Sequence, residues 1–415
     1  MYFCNVYLLY LIKMDFFDRT LYSNRLKPII DKGIIKVLTG QRRVGKSCVL
    51  LQMMRNIQQN NPNANVIYIN KESDEFRKIQ TDVELSTYVA KKHVSGMKNY
   101  LFIDEIQDIR NFENSLRSLQ ATDKCDIFCT GSNAKMLSSE LSTYLSGRYI
   151  EIRVHPLNFL EFMEFHKLEN NNQTLKQFLT YGGMPHLSKL VLNDEIAFEY
   201  LRNVYSTILL KDVVSRENIR NVDFLETLVC YLADNVGSIF SANNIHKFLK
   251  NQRVEISVNL IVNYLKALAN TYLINKVQRM DIKGLKKFEI GDKFYFEDLG
   301  LRNCQQHLEF SNDINKLMEN AVYQHLKTFN YQVYVGKMGE CEIDFVGIKN
   351  NTKVYIQVAY LIYNSKTQDR EFGNLLKIED NYPKYVVTMD NFILGNNYKG
   401  IKHIHLKDFL TMTEF

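Results

Sequence analysis

The chain lacks a paired cysteine motif, a membrane-length apolar run and any strong excess of one charge. Its seven cysteines (Cys4, Cys48, Cys125, Cys129, Cys230, Cys304 and Cys341) are scattered through 415 residues without the Cys-x-x-Cys and His spacing of a zinc site. They read as buried thiols of a reducing compartment. No apolar stretch reaches the ~20 residues that a bilayer span requires, because Lys, Asp, Glu or Asn interrupts each one. The most hydrophobic piece, Met1 to Lys13, has neither an early positive charge nor a small-residue cleavage site, and no Ala or Gly precedes Gly33. Met14, followed by Asp15 and Asp18, reads as an alternative start that would leave 1–13 as a non-native extension. These absences predict a cytoplasmic protein with no membrane partner. The balance of 52 Lys+Arg against 46 Asp+Glu gives a net charge of only +6, so a nucleic-acid partner has to be argued from a local cluster. A 46% hydrophobic and 24% charged composition excludes disordered and fibrous classes. At this length, roughly two to four packed domains are expected.

What is present begins with a phosphate-binding pattern. Ile34, Ile35, Val37 and Leu38 form a short apolar run, the mark of a strand buried on both faces of a parallel sheet. It leads into Gly40, Gln41, Arg42, Arg43, Val44, Gly45, Lys46 and Ser47, a complete GxxxxGK[ST] P-loop, and then into a helical stretch from Cys48 to Asn56. The glycines let backbone N–H groups curl around phosphate oxygens at a helix N-terminus. Lys46 then faces the β and γ phosphates and Ser47 supplies a Mg2+ ligand, so ATP and Mg2+ are the expected ligands. A second apolar strand, Tyr100 to Ile103, ends in Asp104 and Glu105. Asp104 is the Walker B candidate for Mg2+ and Glu105 the base that polarises an attacking water. A third, Asp126 to Thr130, runs into Gly131, Ser132 and Asn133, where the last two are candidates for sensing the γ-phosphate; Ser132 is equally placed to cap a helix.

The P-loop GQRRVGKS, the FIDEIQ strand end, the TGSNA turn and the LSGRY segment (Leu145 to Tyr149), in this order, resemble the prokaryotic AAA family ATPases that carry a C-terminal domain of unknown function. The later YGGMP (Tyr181 to Pro185) and YFEDLGLRN (Tyr295 to Asn303) extend the resemblance over nearly the whole chain from Met14. It implies a parallel sheet between helices, an additional strand, and Glu105 as base. It also places Arg148 at the family's SGR position, either as an arginine finger toward a neighbour's γ-phosphate or as an ion pair within one subunit.

The expected architecture is α/β: an AAA-type P-loop core over 14–156, completed by strands Asn65 to Asn70 and Tyr149 to Val154 and closed by Pro156. A helical lid follows over 157–220, with Phe159, Phe162, Met163 and Phe165 on one apolar face and a break at Gly182, Gly183 and Pro185. Residues 221–303 read as a winged helix. Its helices are Phe224 to Asn235, Ser241 to Leu249 and Ser257 to Asn270, and its wing strands are Tyr272 to Gln278 and Lys286 to Ile290 around a turn at Asp281 to Gly284. Ser241 to Phe294 holds ten Lys+Arg and four Asp+Glu, so this segment alone carries 10 − 4 = +6. Lys247, Lys250, Arg253, Lys266, Lys276, Arg279, Lys283, Lys286 and Lys287 are placed to meet the phosphates of double-stranded DNA, or to form a solvated face or a protein-docking surface.

The segment 304–415 has a helix with Glu319, a strand with Glu342 and Asp344, and a strand from Lys353 to Ala359, the order of restriction-endonuclease-like folds. The position of its E-x-K element carries Gln357, Val358 and Ala359, so one carboxylate and the lysine are missing and the domain reads as inactive unless Lys353 or Lys366 substitutes. Asn170 to Asn172 and Asn396 to Asn397 read as loop tips. The functional expectation is an ATPase whose nucleotide state moves the attached domains, acting alone, as a homo-oligomer or on a protein or DNA partner. The alternative is a nucleotide-dependent switch with negligible hydrolysis.

Overall fold

The computed structural model describes residues 17–134, 144, 145, 147–217, 219–251, 256–284, 291–305, 310–362, 365–390 and 397–415. They form two compact units: the chain to His155 with Asn270–Tyr272, and Pro156–Ala269 with Leu273–Phe415. No described helix is long and apolar enough to cross a membrane.

After a short helix α1 (Thr20–Leu26), the first unit is built on a sheet of β1 (Ile35–Thr39), β2 (Asn65–Asn70), β3 (Asn99–Asp104), β4 (Asp126–Gly131) and β5 (Tyr149–Arg153). The order is β2-β3-β4-β1-β5 and every pairing is parallel. Parallel strands need crossover helices, supplied by α2 (Lys46–Asn60), α3 (Asp82–Lys92) and α4 (Phe112–Ala121). Because both faces are covered, β1 and β3 are buried along their whole length. Val37, Ile69, Leu101, Ile103, Ile127 and Leu116 share one core. Even Lys36 on β1 is fully buried, its charge met by Asp126 and its Nζ 4.8 Å from the Phe128 ring centroid. The consequence for function is positional: the loops after β1, β3 and β4, three adjacent strands, all emerge at the same carboxyl edge.

The second unit opens with helices α5 (Phe159–His166), α6 (Asn172–Tyr181) and α7 (Asp194–Thr207), the last continuing in π-helical turns through Ser215. Phe159, Phe162 and Phe165 are buried, whereas Met163 lies at the half-buried margin. Asn171 is no loop tip: its side chain caps α6 by accepting the Thr174 N–H at 2.9 Å, and Asn172 is already helical. Asn397 starts a two-residue strand, and Asn396 lies outside the described residues. Three further helices follow, α8 (Val222–Asp234), α9 (Ala242–Asn251) and α10 (Val258–Asn270), then β6 (Ile274–Val277), β7 (Arg279–Asp281), β8 (Lys293–Phe296) and α11 (Leu299–Asn303). The antiparallel partner of β6 is β8, and Phe240 bridges Asp292 beside it. The strand expected at Lys286 to Ile290 falls outside the described residues, as do Arg253, Lys286 and Lys287. The turn at Asp281 forms as expected, its carboxylate accepting the N–H groups of Lys283 and Gly284.

The last part packs α12 (Phe310–Thr328) and α13 (Ser365–Leu376) on a sheet containing β9 (Gln332–Met338), β10 (Cys341–Lys349), β11 (Thr352–Val358), β12 (Lys384–Thr388), β13 (Asn397–Tyr398) and β14 (Ile401–His405). β9 to β11 are antiparallel, β11, β12 and β14 parallel, and β7 joins the edge by pairing parallel with β9. The YGGMP and YFEDLGLRN segments form one buried joint. Asp298 caps α11 through the Leu301 N–H (2.9 Å) and also accepts the Gly183 N–H (2.7 Å). Arg302 and Asn303 donate to the carbonyls of Ala233 and of Leu179 and Thr180. Burial pushes the Asp298 carboxyl up to about 6, against the pull of these N–H donors. Of the described cysteines, Cys125, Cys129 and Cys304 are buried, but Cys230 and Cys341 are half-buried and Cys48 is exposed on the outward side of the first turn of α2, so uniform burial does not hold; Cys4 lies outside the described residues.

Candidate functional site

The P-loop backbone turns tightly enough to need φ values that L side chains avoid: +138° at Gly40, +69° at Arg43 and +94° at Gly45. A Cβ on Gly40 would lie 2.1 Å from the carbonyl oxygen of Val154, which belongs to the segment paired against Thr39. Gly40→Ala is therefore expected to cost roughly 1–3 kcal/mol and to remove nucleotide binding. Thermal unfolding and titration with a fluorescent ATP analogue check this, and unaltered binding would refute it.

Within the loop, Gln41 is fully buried, and neither its amide nitrogen nor its oxygen has a hydrogen-bond partner among the described residues. Arg42 is buried with its guanidinium 3.5 Å from Glu72, Arg43 is exposed, and Val44 is buried. The Val44 carbonyl is held from behind by Arg19, whose guanidinium also donates to the His155 carbonyl. Lys46 is buried and donates to the carbonyls of Gly40 (3.1 Å) and Gln41 (3.0 Å), with Glu105 at 3.9 Å.

The acidic end of β3 is drawn in by hydrogen bonds to its neighbour strand. Asp104 accepts from the hydroxyls of Thr130 and Ser47; its burial dominates and raises the carboxyl above its ordinary value. Glu105 adopts the left-handed conformation (φ 56°), with its N–H on the Thr130 hydroxyl at 2.9 Å. Its carboxylate accepts from Ser132 (3.1 Å) and from the Gln107 amide. Burial works against ionisation of Glu105, but Lys46, with help from Gln107, Arg42 and Ser132, holds it below the usual carboxylate range. Asn133 follows, half-buried. Ser47 and Asp104 thus present a hydroxyl and a carboxylate side by side, a hard-oxygen set that fits Mg2+.

The structure brings Lys46, Ser47, Asp104, Glu105 and Ser132 together but leaves Arg148 apart. The Arg148 carbonyl accepts the Ile35 N–H at 2.9 Å, beside the amino end of β1, and its side chain is exposed. The P-loop follows the other end, roughly 13 Å of strand away. Sequence reasoning missed Thr130, Gln107 and Arg19. Gln107 stands in the FIDEIQ segment and Thr130 in TGSNA, so both were within reach of the motifs.

Two other groups of candidates stand in the second unit. Lys247, Lys250, Lys266, Lys276 and Lys283 are exposed and Arg279 is half-buried; Lys276 is paired with Asp292 at 2.8 Å. The outward face of α10 carries Asn259, Val262, Asn263 and Lys266. Glu319, Asp344 and Gln357 line one cavity of about 460 Å3 with Glu371. Ala359 is buried, Lys353 sits 5.4 Å from the Tyr382 ring, and the side chain of Lys366 lies outside the described residues.

Residues 32–163 match the AAA domain family, and residues 172–336 match a domain of unknown function (DUF8612). An uncharacterized protein of Haemophilus influenzae is 33% identical over 95% of this chain and 98% of its own length. The uncharacterized protein MJ1544 of Methanocaldococcus jannaschii is 31% identical over 90% of this chain and 85% of its own. Among solved structures, the Aeropyrum pernix ORC1 protein in complex with DNA is similar at 10% identity and a TM-score of 0.33, covering 73% of this chain and 96% of that one. The chain belongs to the family of the Haemophilus influenzae and Methanocaldococcus jannaschii proteins, and its P-loop segment, within residues 32–163, matches the AAA domain.

Proposed function

We propose that the chain is a cytoplasmic ATPase in which ATP hydrolysis drives movement of the attached domains. The observation that carries this reading is the convergence of Lys46, the Ser47–Asp104 pair and Glu105 at the carboxyl edge of three adjacent strands. In this reading Gly40 to Cys48 wrap the phosphates, Lys46 leaves the loop carbonyls for the β and γ phosphates, and Ser132 and Asn133 meet the γ-phosphate. Ser47 and Asp104 would hold Mg2+, which when bound supplies charge neutralisation on the phosphate oxygens. Glu105, ionised beside Lys46, accepts a proton from the attacking water. Arg148, remote from its own P-loop, is assigned to the nucleotide of a neighbouring copy, which requires a homo-oligomer.

The domain reading extends this. Residues 157–220 act as a lid, and 221–303 as a winged helix, for which the order of three helices, the β6–β8 hairpin and the Phe240 bridge argues. The exposed Asn259, Asn263 and Lys266, flanked by Lys247, Lys250 and Lys283, suit base edges and phosphates of duplex DNA. Residues 304–415 form an inactive endonuclease-like domain.

Phosphate release from MgATP, with and without duplex and single-stranded DNA, tests the proposal. Turnover is expected, with stimulation by duplex, and Lys46→Ala is expected to reduce it at least about a hundred-fold. The engagement of Glu105 by Lys46, Gln107 and Ser132 favours a second reading, a nucleotide-dependent switch. Tight ATP binding without turnover in any condition would select it.

A further inference from the structure

The basic excess of residues 241–294 includes one lysine that never reaches solvent. Lys293 opens β8 with its side chain only 4% exposed, and its Nζ lies 3.0 Å from Glu342, 3.1 Å from Glu319 and 3.9 Å from Asp344. The carboxylates come from two elements of the C-terminal fold, Glu319 from α12 and the other two from β10. The lysine comes from the hairpin.

An endonuclease-like domain implies a divalent cation between the acidic residues of this helix and strand. The residues present do not fit one. Mg2+ demands oxygens at about 2.0–2.1 Å in near-octahedral array, and no group of three or more His, Cys, Asp or Glu among the described residues is arranged to hold a metal ion. The oxygens of Glu319 and Glu342 stand at N–H···O distance around an ammonium instead.

We propose that Lys293 takes the place of that cation, so that the cluster of Glu319, Glu342 and Asp344 is gathered around an ammonium of the chain itself and binds no divalent metal.

The surroundings fix the ammonium in place. Asn320 grips β8 by accepting the Phe296 N–H (2.8 Å) and donating to the Phe296 carbonyl (2.9 Å), and Gln324 donates to the carbonyls of Phe296 and Glu297. The Tyr295 hydroxyl donates to the same Glu319 oxygen as Lys293. Asp344 is oriented by the Val358 N–H at 2.8 Å, and its own N–H reaches the Gln357 amide oxygen at 3.4 Å. Burial disfavours the charge on Lys293, but the three carboxylates outweigh it and raise the ammonium above its ordinary range. The Glu371 carboxylate, which also lines the cavity and acts on Asp344, is engaged by Arg370.

The proposal makes a gain-of-binding prediction, since removing the ammonium leaves half-buried carboxylates without a counter-charge. Mn2+ is titrated into the full chain and followed by electron paramagnetic resonance, in an Asp104→Asn background that removes the nucleotide-site carboxylate. The Asp104→Asn chain is expected to bind no Mn2+ at this cluster. Adding Lys293→Met is expected to create a site for a single equivalent, which Asp344→Asn then abolishes. Mn2+ binding by the Asp104→Asn chain that Asp344→Asn removes would overturn the proposal, and so would a folded Lys293→Met chain that binds none. Where Lys293→Met does not fold, the comparison of Asp104→Asn with and without Asp344→Asn decides the matter alone.

Discussion

Replacing Glu105 by Gln is expected to slow phosphate release from MgATP by about a hundred-fold to ten-thousand-fold, the range that a positioned general base supplies, while nucleotide affinity stays within a few-fold. The split follows from geometry. Among the described residues the Glu105 carboxylate accepts from the side chains of Ser132 and Gln107 and faces Lys46 at 3.9 Å. An amide keeps the shape and an acceptor oxygen but cannot take a proton. Glu105 is held ionised by Lys46 against the cost of its burial, so the wild-type base is in its working form at neutral pH. Single-turnover phosphate release together with nucleotide titration separates the two effects. A rate within about tenfold of wild type would remove Glu105 from the chemistry, whereas loss of affinity would make it a structural partner of Lys46.

The second large effect lies within the second unit. Arg302 is 1% exposed and donates to the Ala233 carbonyl from two nitrogens (3.0 and 2.7 Å), to Asn303 and to Asp313 (3.1 Å). Removing one partner of a buried pair typically costs about 3–5 kcal/mol, because the other charge is left uncompensated. Lys316 still reaches Asp313 at 2.8 Å, so Arg302→Met is expected at the low end, about 3 kcal/mol. For a unit of this size that corresponds to a fall in melting temperature of roughly 6–12 °C. Circular dichroism melts measure it. A loss below about 1 kcal/mol, the value of an exposed pair, would mean that the joint is held by the hydrogen bonds of Asp298 and Asn303 instead.

The nucleotide core was legible because β1, β3 and β4 carry their own punctuation: an apolar run, then glycine or acid. Asn65 to Asn70 form a strand with those limits, and β1 and β4 lie within a residue of the expected ends. What a linear pattern does not contain is which strands become neighbours. Thr130 links Asp104 to Glu105 because β4 lies between β1 and β3, an outcome of sheet order and not of spacing in the chain. The same reason hides Lys293. By composition it is one more positive charge in a basic segment, and only the packing of β8 on α12 turns it inward. That Lys293 to Phe296 pairs with β6 is likewise not written in local propensity, which does not choose a strand's partner.

The pairing of β7 with β9 has a bearing on how this half of the gene is inherited. Three residues of the hairpin, Arg279–Asp281, supply the edge of a sheet whose next strand begins at Gln332. A chain cut or recombined anywhere between those positions would strip that edge and leave the main-chain groups of β9 open to strands of other molecules. Exchange of the basic hairpin for a relative's version therefore has to preserve a strand at 279–281 if the C-terminal sheet is to keep its covered edge.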